Sequence, residues 1–409
     1  MSEDKKATGT ALTYHQTQLR VRRNLIIQEE LAQRGGREVL NVPIVVGPTG
    51  GGKTAMAEEE AHTFGLPLRA INNGENSDPC DVSGVPVPSM IRKLMAEGTN
   101  GEKVEAGGEY MAWILNQYAA ESCARGVFLF FDDIDKAPPP VQGALLGILG
   151  NRYFRDKAIH KDTLIMGAGN RVEDDMYANQ ISESLRTRAT LIEMMPDVRS
   201  FIEYGVATGR IHPIVLGFLQ YKPEYLHKWM DGVSRFPTPR GWREVTVHLE
   251  MFPDPFEDVF GNGSKDNWRQ IVSEKCGTPV SKDFWGWFKI IRQINVKDLL
   301  ETGKINKVML VDDNKAPVDK RMSQYAAVFA IASELNSHGV KKAYIGLNEI
   351  FDADNKDGIE KEMRIALAVQ LSRSVRNEVG KLFPKAANEM MSQIIPLDRP
   401  KKMVQGAAT

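Results

Sequence analysis

The stretch that most constrains this chain is the octapeptide at 47–54, Gly47, Pro48, Thr49, Gly50, Gly51, Gly52, Lys53 and Thr54. It follows a short apolar run, Val42 to Val46, and precedes the helix-capable segment TAMAEEEAHTF. Four glycines let the backbone curl so that successive N–H groups converge on one point, the geometry that cradles phosphate oxygens. In the GxxxxGK[ST] pattern the lysine reaches the β- and γ-phosphates and the threonine hydroxyl faces Mg²⁺. Lys53 and Thr54 therefore point to ATP and Mg²⁺ as ligands. Pro43 lies near the start of the preceding run, where a strand tolerates proline best.

At 409 residues the chain has room for two or three domains. Lys and Arg number 52 against 53 Asp and Glu, a formal charge of −1, which argues against bulk adhesion to nucleic acid or to an acidic membrane. A few basic groups lining a pore would escape that count. Cys80, Cys123 and Cys276 are widely spaced and form neither a zinc pattern nor a disulfide framework, so reduced thiols in the cytoplasm are expected. The polar start MSEDKKATGT does not read as a secretory signal, and no stretch reaches the roughly 20 apolar residues of a membrane span.

Short apolar segments at 44–46, 127–131 and 163–168 read as strands of a parallel sheet buried on both faces, with helical crossovers between them. The fold class expected is therefore α/β: a P-loop core, a small helical lid, and a mainly helical C-terminal region. The divisions are residues 1–36, a tail and a helix from Gln16 to Gln33 ended by Gly35 and Gly36; 37–196, the large nucleotide-binding domain; 197–260, the lid; and 261–409. Beyond a polar joint at 256–266, Tyr325, Val328, Phe329, Ala332 and Leu335 recur at helical spacing, and Ile365, Leu367, Ala368, Val369 and Leu371 begin another apolar face. Residues 352–358 imitate a calcium loop. Lys356 occupies a ligand position, Gly358 comes one place late and Met363 stands where a glutamate belongs, so the segment reads as a turn. The tail after Pro396 is basic.

The run Val127-Phe-Leu-Phe-Phe delivers Asp132 and Asp133 at its C-terminal end, the end of a parallel strand where ligands sit. Asp132 is the candidate for the Mg²⁺ shell and Asp133 for the attacking water. A second apolar strand ends in Asn170, placed to hydrogen-bond the γ-phosphate and the same water. Such a set achieves phosphoryl transfer by positioning and charge stabilisation.

Six segments together carry a more specific resemblance: GPTGGGKT, DPCDVSGVP at 78–86, FDDIDKAPPPVQGALLGIL at 131–149, GAGN at 167–170, ISESLRTR at 181–188 and FPTPRGW at 236–242. In this order they resemble AAA+ ATPases of the MoxR-like branch, including related bacterial and phage ATPases. The resemblance implies ATP hydrolysis in a homo-oligomer, a hexameric ring. It assigns Asn170 to sensor 1, Arg188 to the arginine finger with Arg186 as the fallback, and Arg240 to sensor 2. It further implies a protein partner, often one carrying a von Willebrand factor A domain. Two departures stand out: Asp133 replaces the usual glutamate, and Asp135-Lys136 stands where relatives often have asparagine and arginine.

The long segment 72–126 resembles the insertion that projects toward the ring channel in this branch, against the alternative of an external crossover. Residues 150–156 form a second projecting candidate, a hairpin of alternating aromatic and basic residues. Three functions follow. The first is a ring-forming ATPase that remodels or regulates a protein partner. The second is a nucleic-acid motor or loader gripping phosphates through Arg92, Lys93, Lys103, Arg152 and Arg155. The third is a nucleotide-dependent scaffold with slow hydrolysis, which Asp133 keeps open.

Overall fold

A computed structural model of the chain describes residues 11–34, 42–88, 93–97, 103–107, 111–172, 179–229, 235–258, 263, 265–303, 310, 318–340, 346–347, 350 and 361–383. The sequence readings for residues 1–10, Gly35 and Gly36, Arg92, the 352–358 turn and the tail after Pro396 lie outside these residues. The chain divides into two compact units, 1–195 and 196–409.

The first unit opens with α1 (Tyr14–Gln33), started by a reciprocal cap in which Thr13 accepts from the Gln16 N–H and Gln16 accepts from the Thr13 N–H. Next come β1 (Val42–Val46), α2 (Lys53–Phe64) and β2 (Leu68–Asn72). Gly65, at φ 68°, ends α2 in the left-handed conformation that suits glycine. After α3 (Pro79–Ser83), β3 (Val85–Pro88) pairs antiparallel with β6 (Met111–Ile114), and β4 (Lys93–Glu97) with β5 (Lys103–Gly107). The 72–126 segment thus carries nested β-ribbons. Then follow α4 (Gln117–Ala124), β7 (Phe128–Asp132), α5 (Pro139–Asn151), a small hairpin of β8 (Tyr153–Phe154) and β9 (Lys157–Ala158), β10 (Leu164–Gly169), α6 (Glu183–Arg186) and β11 (Ala189–Glu193).

Five strands form one parallel sheet in the order β11-β1-β10-β7-β2. The three central strands are those the apolar runs mark. Along β7, Phe128 and Phe130 enter the core with Val21 and Leu25 of α1 and Met56 of α2, while Leu129 and Phe131 enter a second core with Leu145 and Ile148 of α5. Alternate residues of one strand thus feed both faces, so the run is apolar without a break. Helix α1 is part of this packing: the Gln28 amide donates to the Ile165 carbonyl at 2.8 Å and accepts from the Ile165 N–H at 3.1 Å, like an added peptide link.

Among the described residues the second unit is helical: α7 (Val198–Thr208), α8 (Pro213–Tyr221), α9 (Pro239–Met251), α10 (Asn267–Cys276), α11 (Thr278–Ile291), α12 (Val296–Thr302), α13 (Lys320–His338), α14 (Lys361–Gln370) and α15 (Arg373–Leu382). Phe218 packs against Trp242, Phe284 and Trp287, so one aromatic core joins helices on both sides of residue 260. Tyr325, Val328, Phe329, Ala332 and Leu335 are all buried in it.

Candidate functional site

The C-terminal ends of β1, β7 and β10 lie side by side in the sheet, and each delivers one part of the site. After β1 the loop turns through Gly50 at φ 73° and Gly52 at φ 99°, then enters α2 at Lys53. Gly47 has no room for a side chain, since a Cβ there would lie 2.5 Å from the Met194 carbonyl oxygen. Lys53 is buried, and its ammonium donates to the carbonyls of Gly47 at 2.9 Å and Pro48 at 3.0 Å and to Asn170 Oδ1 at 2.9 Å. The phosphate-loop lysine and the polar end of β10 are therefore in direct contact.

Asn170 is oriented from behind by a residue the sequence marked only as a departure. The wholly buried Asp135 accepts from the Asn170 backbone N–H at 2.8 Å and from its side-chain Nδ2 at 3.3 Å. A carboxylate only accepts, so the amide turns its NH₂ to Asp135 and its oxygen to Lys53 and to the Thr49 hydroxyl, 3.3 Å away. Asp135 also leans on Lys136 at 3.6 Å.

At the end of β7, Asp132 Oδ2 accepts from the Thr54 hydroxyl at 2.9 Å, and its Oδ1 accepts from the Asp133 N–H at 3.0 Å. Asn73, buried after β2 and unremarked in the sequence, donates to the Asp132 carbonyl at 2.7 Å. Asp133 sits at φ 51°, ψ 42°, a left-handed conformation that Asp tolerates better than most residues. Burial, then the nearby charges of Asp132 and Asp135, hold its carboxyl above the ordinary range. Thr54 and Asp132 offer two hard oxygen donors side by side, a set that suits Mg²⁺ when phosphate and water complete the shell. Among the described residues no cluster of three or more His, Cys, Asp or Glu forms a protein-only metal cage.

Arg186 and Arg188 are exposed at α6. Arg186 borders a cavity of about 570 Å³ beside Glu183 and Thr187, whereas Arg188 donates to the Ser184 carbonyl at 3.3 Å and lays its stem along Gly150 of α5. Arg240 is exposed in the first turn of α9, in the second unit.

The hairpin forms at 153–158 rather than 150–156, since Gly150 and Asn151 still belong to α5; Arg152 is occupied within the chain, whereas Arg155 is exposed. Arg152 is buried in the left-handed conformation at φ 57°, and its Nη2 donates to the carbonyls of His160 and Thr163, both at 2.7 Å. Burial lowers its pKa to about 10. This corrects its reading as a projecting basic contact. Arg155 stacks over the Trp113 ring, 4.0 Å from the centroid. Lys93 and Lys103 fall on β4 and β5, and their side chains lie outside the described residues.

Residues 43–189 match the family model described as AAA domain, dynein-related subfamily. This unit is an AAA+ ATPase core. The AAA+ fold is the P-loop sheet of five parallel strands seen here, and its activity is ATP hydrolysis. No curated protein matches the chain. Among solved structures, the Thermotoga maritima RuvB Holliday junction branch migration motor is similar at 15% identity and TM-score 0.35, over 85% of this chain and 91% of that one. NtrX from Brucella abortus in complex with ADP is similar at 15% identity and TM-score 0.35, over 66% of this chain and 55% of that one. No described helix is long and apolar enough to cross a membrane.

Proposed function

We propose that the chain is a MoxR-like AAA+ ATPase that assembles as a homo-oligomeric, hexameric ring and remodels or regulates a protein partner, with ATP hydrolysed at subunit interfaces. Lys53 exchanges its three protein oxygens for β- and γ-phosphate oxygens, and the loop after Pro48 turns N–H groups on them. Thr54 and Asp132 would hold Mg²⁺, which when bound neutralises charge on the β- and γ-phosphate oxygens. Asp133 orients and polarises the attacking water, and Asn170 positions water and γ-phosphate. Arg240 acts as sensor 2 from a lid at 197–260, and Arg188 reaches the ATP of the neighbouring subunit.

The observation that carries the interface reading is the asymmetry among the charged groups. Lys53 bonds Asn170, and Thr54 bonds Asp132, at the strand ends, while Arg188 is exposed and its side chain bonds the Ser184 carbonyl of its own segment beside Gly150. A protein target is favoured over nucleic acid because Arg152 is committed to main-chain carbonyls. The net charge of −1 agrees.

Phosphate release in the presence of neighbouring-gene products, and separately of single- and double-stranded DNA and RNA, tests the target. Stimulation by a protein, particularly one with a von Willebrand factor A domain, is expected. Stimulation by nucleic acid that falls steeply with salt overturns the protein reading in favour of a motor. Electron microscopy with ATP tests the ring.

A further inference from the structure

Helix α5 starts immediately after the turn that follows Asp133, and two of its residues hold the segment that carries Arg188. The first is Gln142, 2% exposed. Its Nε2 donates to the Ala137 carbonyl at 3.1 Å, and its Oε1 accepts from the Ser182 N–H at 2.8 Å. Ser182 is the N-cap of α6. The second is Gly150, eight residues and about 12 Å further along the helix. A Cβ built there would lie 2.6 Å from Arg188 Cδ and 3.2 Å from its Nε. A further tie runs from the Asn179 N–H to the Asp135 carbonyl at 2.8 Å.

Gly150 needs a separate explanation, because glycine inside a helix is poor for the helix itself, by about 1 kcal/mol relative to alanine. Its φ is not in the left-handed region, so backbone freedom does not require it. What fills the space its missing side chain leaves is the Arg188 stem. A methyl group at this position must push Cδ and Nε aside, and with them the guanidinium.

We propose that α5 is the seat of the arginine finger: Gly150 gives the Arg188 stem its groove, and Gln142 ties the entry of α6 to the carboxylate turn. Both are positioning residues, and the inference rests on Arg188 acting in trans. The turn that follows the carboxylates serving a subunit's own ATP and the segment of the arginine serving its neighbour's are thereby joined through one helix.

The test uses full-length mixed assemblies. The reference pairs Lys53→Ala protein, which lends its finger, with Arg188→Ala protein, which lends its intact site, and phosphate release is read. Gly150→Ala is then added to the finger donor in one mixture and to the site donor in another. The seat predicts a loss of at least about tenfold in the first, since a 1 Å misplacement can cost roughly 10²-fold in rate, and the reference rate in the second. The melting temperature of Gly150→Ala should be unchanged or higher, which a merely structural defect would not give. Equal loss in both mixtures, or loss in neither, overturns the seat while leaving the trans finger standing. An inactive reference overturns the trans finger and the seat with it. Should Gly150→Ala not fold, Gln142→Met takes its place, with the larger loss again expected in the finger donor.

Discussion

Lys53 places a buried ammonium among three oxygens. Lys53→Ala removes the charge that faces the phosphates, and titration calorimetry with ATP should show binding lost. Asp133→Asn should leave ATP affinity within a few-fold and reduce phosphate release by at least about 10²-fold, the lower end of what positioned acid–base groups contribute. Normal turnover in that variant would remove Asp133 from the chemistry. Asp135→Ala strips the acceptor from the buried Asn170 N–H, and unfolding in urea should show a cost of about 1–3 kcal/mol for the orphaned donor. Lys53, Asp132 and Asn170 were legible because each ends or follows an apolar strand run, and the sheet brings those ends together. Asp135 was not, because its partner lies 35 positions away and only the fold makes them neighbours. Arg152 was misread for the same reason: its aromatic and charged neighbours suggest a surface, whereas a left-handed backbone turns its side chain inward onto carbonyls.

At the scale of elements, the helix that begins at the phosphate loop is clamped from outside by α1. Arg22 meets Glu60 of α2 through two bonds, at 2.9 and 2.6 Å, with the glutamate side chain fully buried, and Gln18 bonds Glu59 at 2.8 Å. Removing one partner of a buried pair strands the other charge, so Arg22→Met should cost about 3–5 kcal/mol in urea unfolding. A second clamp holds α4 to β2, where Arg69 grips both oxygens of Glu121 at 2.6 and 2.8 Å and Arg125 adds a third contact. These arginines hold the Glu121 carboxyl down to about 2 from its ordinary 4.5. A carboxyl lowered on folding adds stability above its unfolded pKa and loses it as pH falls toward the folded one. The stability difference between the native chain and Glu121→Gln should therefore be full above about pH 4.5 and shrink steadily below it, as urea midpoints across pH will show. The central strands were legible because burial on both faces makes them unbroken apolar runs. The outer strands LRAIN and ATLIE were not, since they are only partly buried and their polar residues hide the period.

At the scale of the whole molecule, the chain is two compact units, and the sequence marks them unequally. The first carries the sheet strands found among the described residues and most of the candidate site groups, so its motifs are dense. The second is helical among its described residues and shows only the period of its buried faces, which says that it packs and not what it serves. In the proposed ring, a complete hydrolytic site contains Lys53 of one subunit and Arg188 of the next. Such a finger can contribute roughly 10³–10⁵ in rate. The most direct measurement is phosphate release from mixtures of Arg188→Ala and Lys53→Ala protein across the full range of proportions, with mixed assembly checked by size. Near-zero activity is expected for either variant alone, with a maximum at intermediate mixing. A flat baseline at every proportion, with mixed assemblies present, would contradict the shared site.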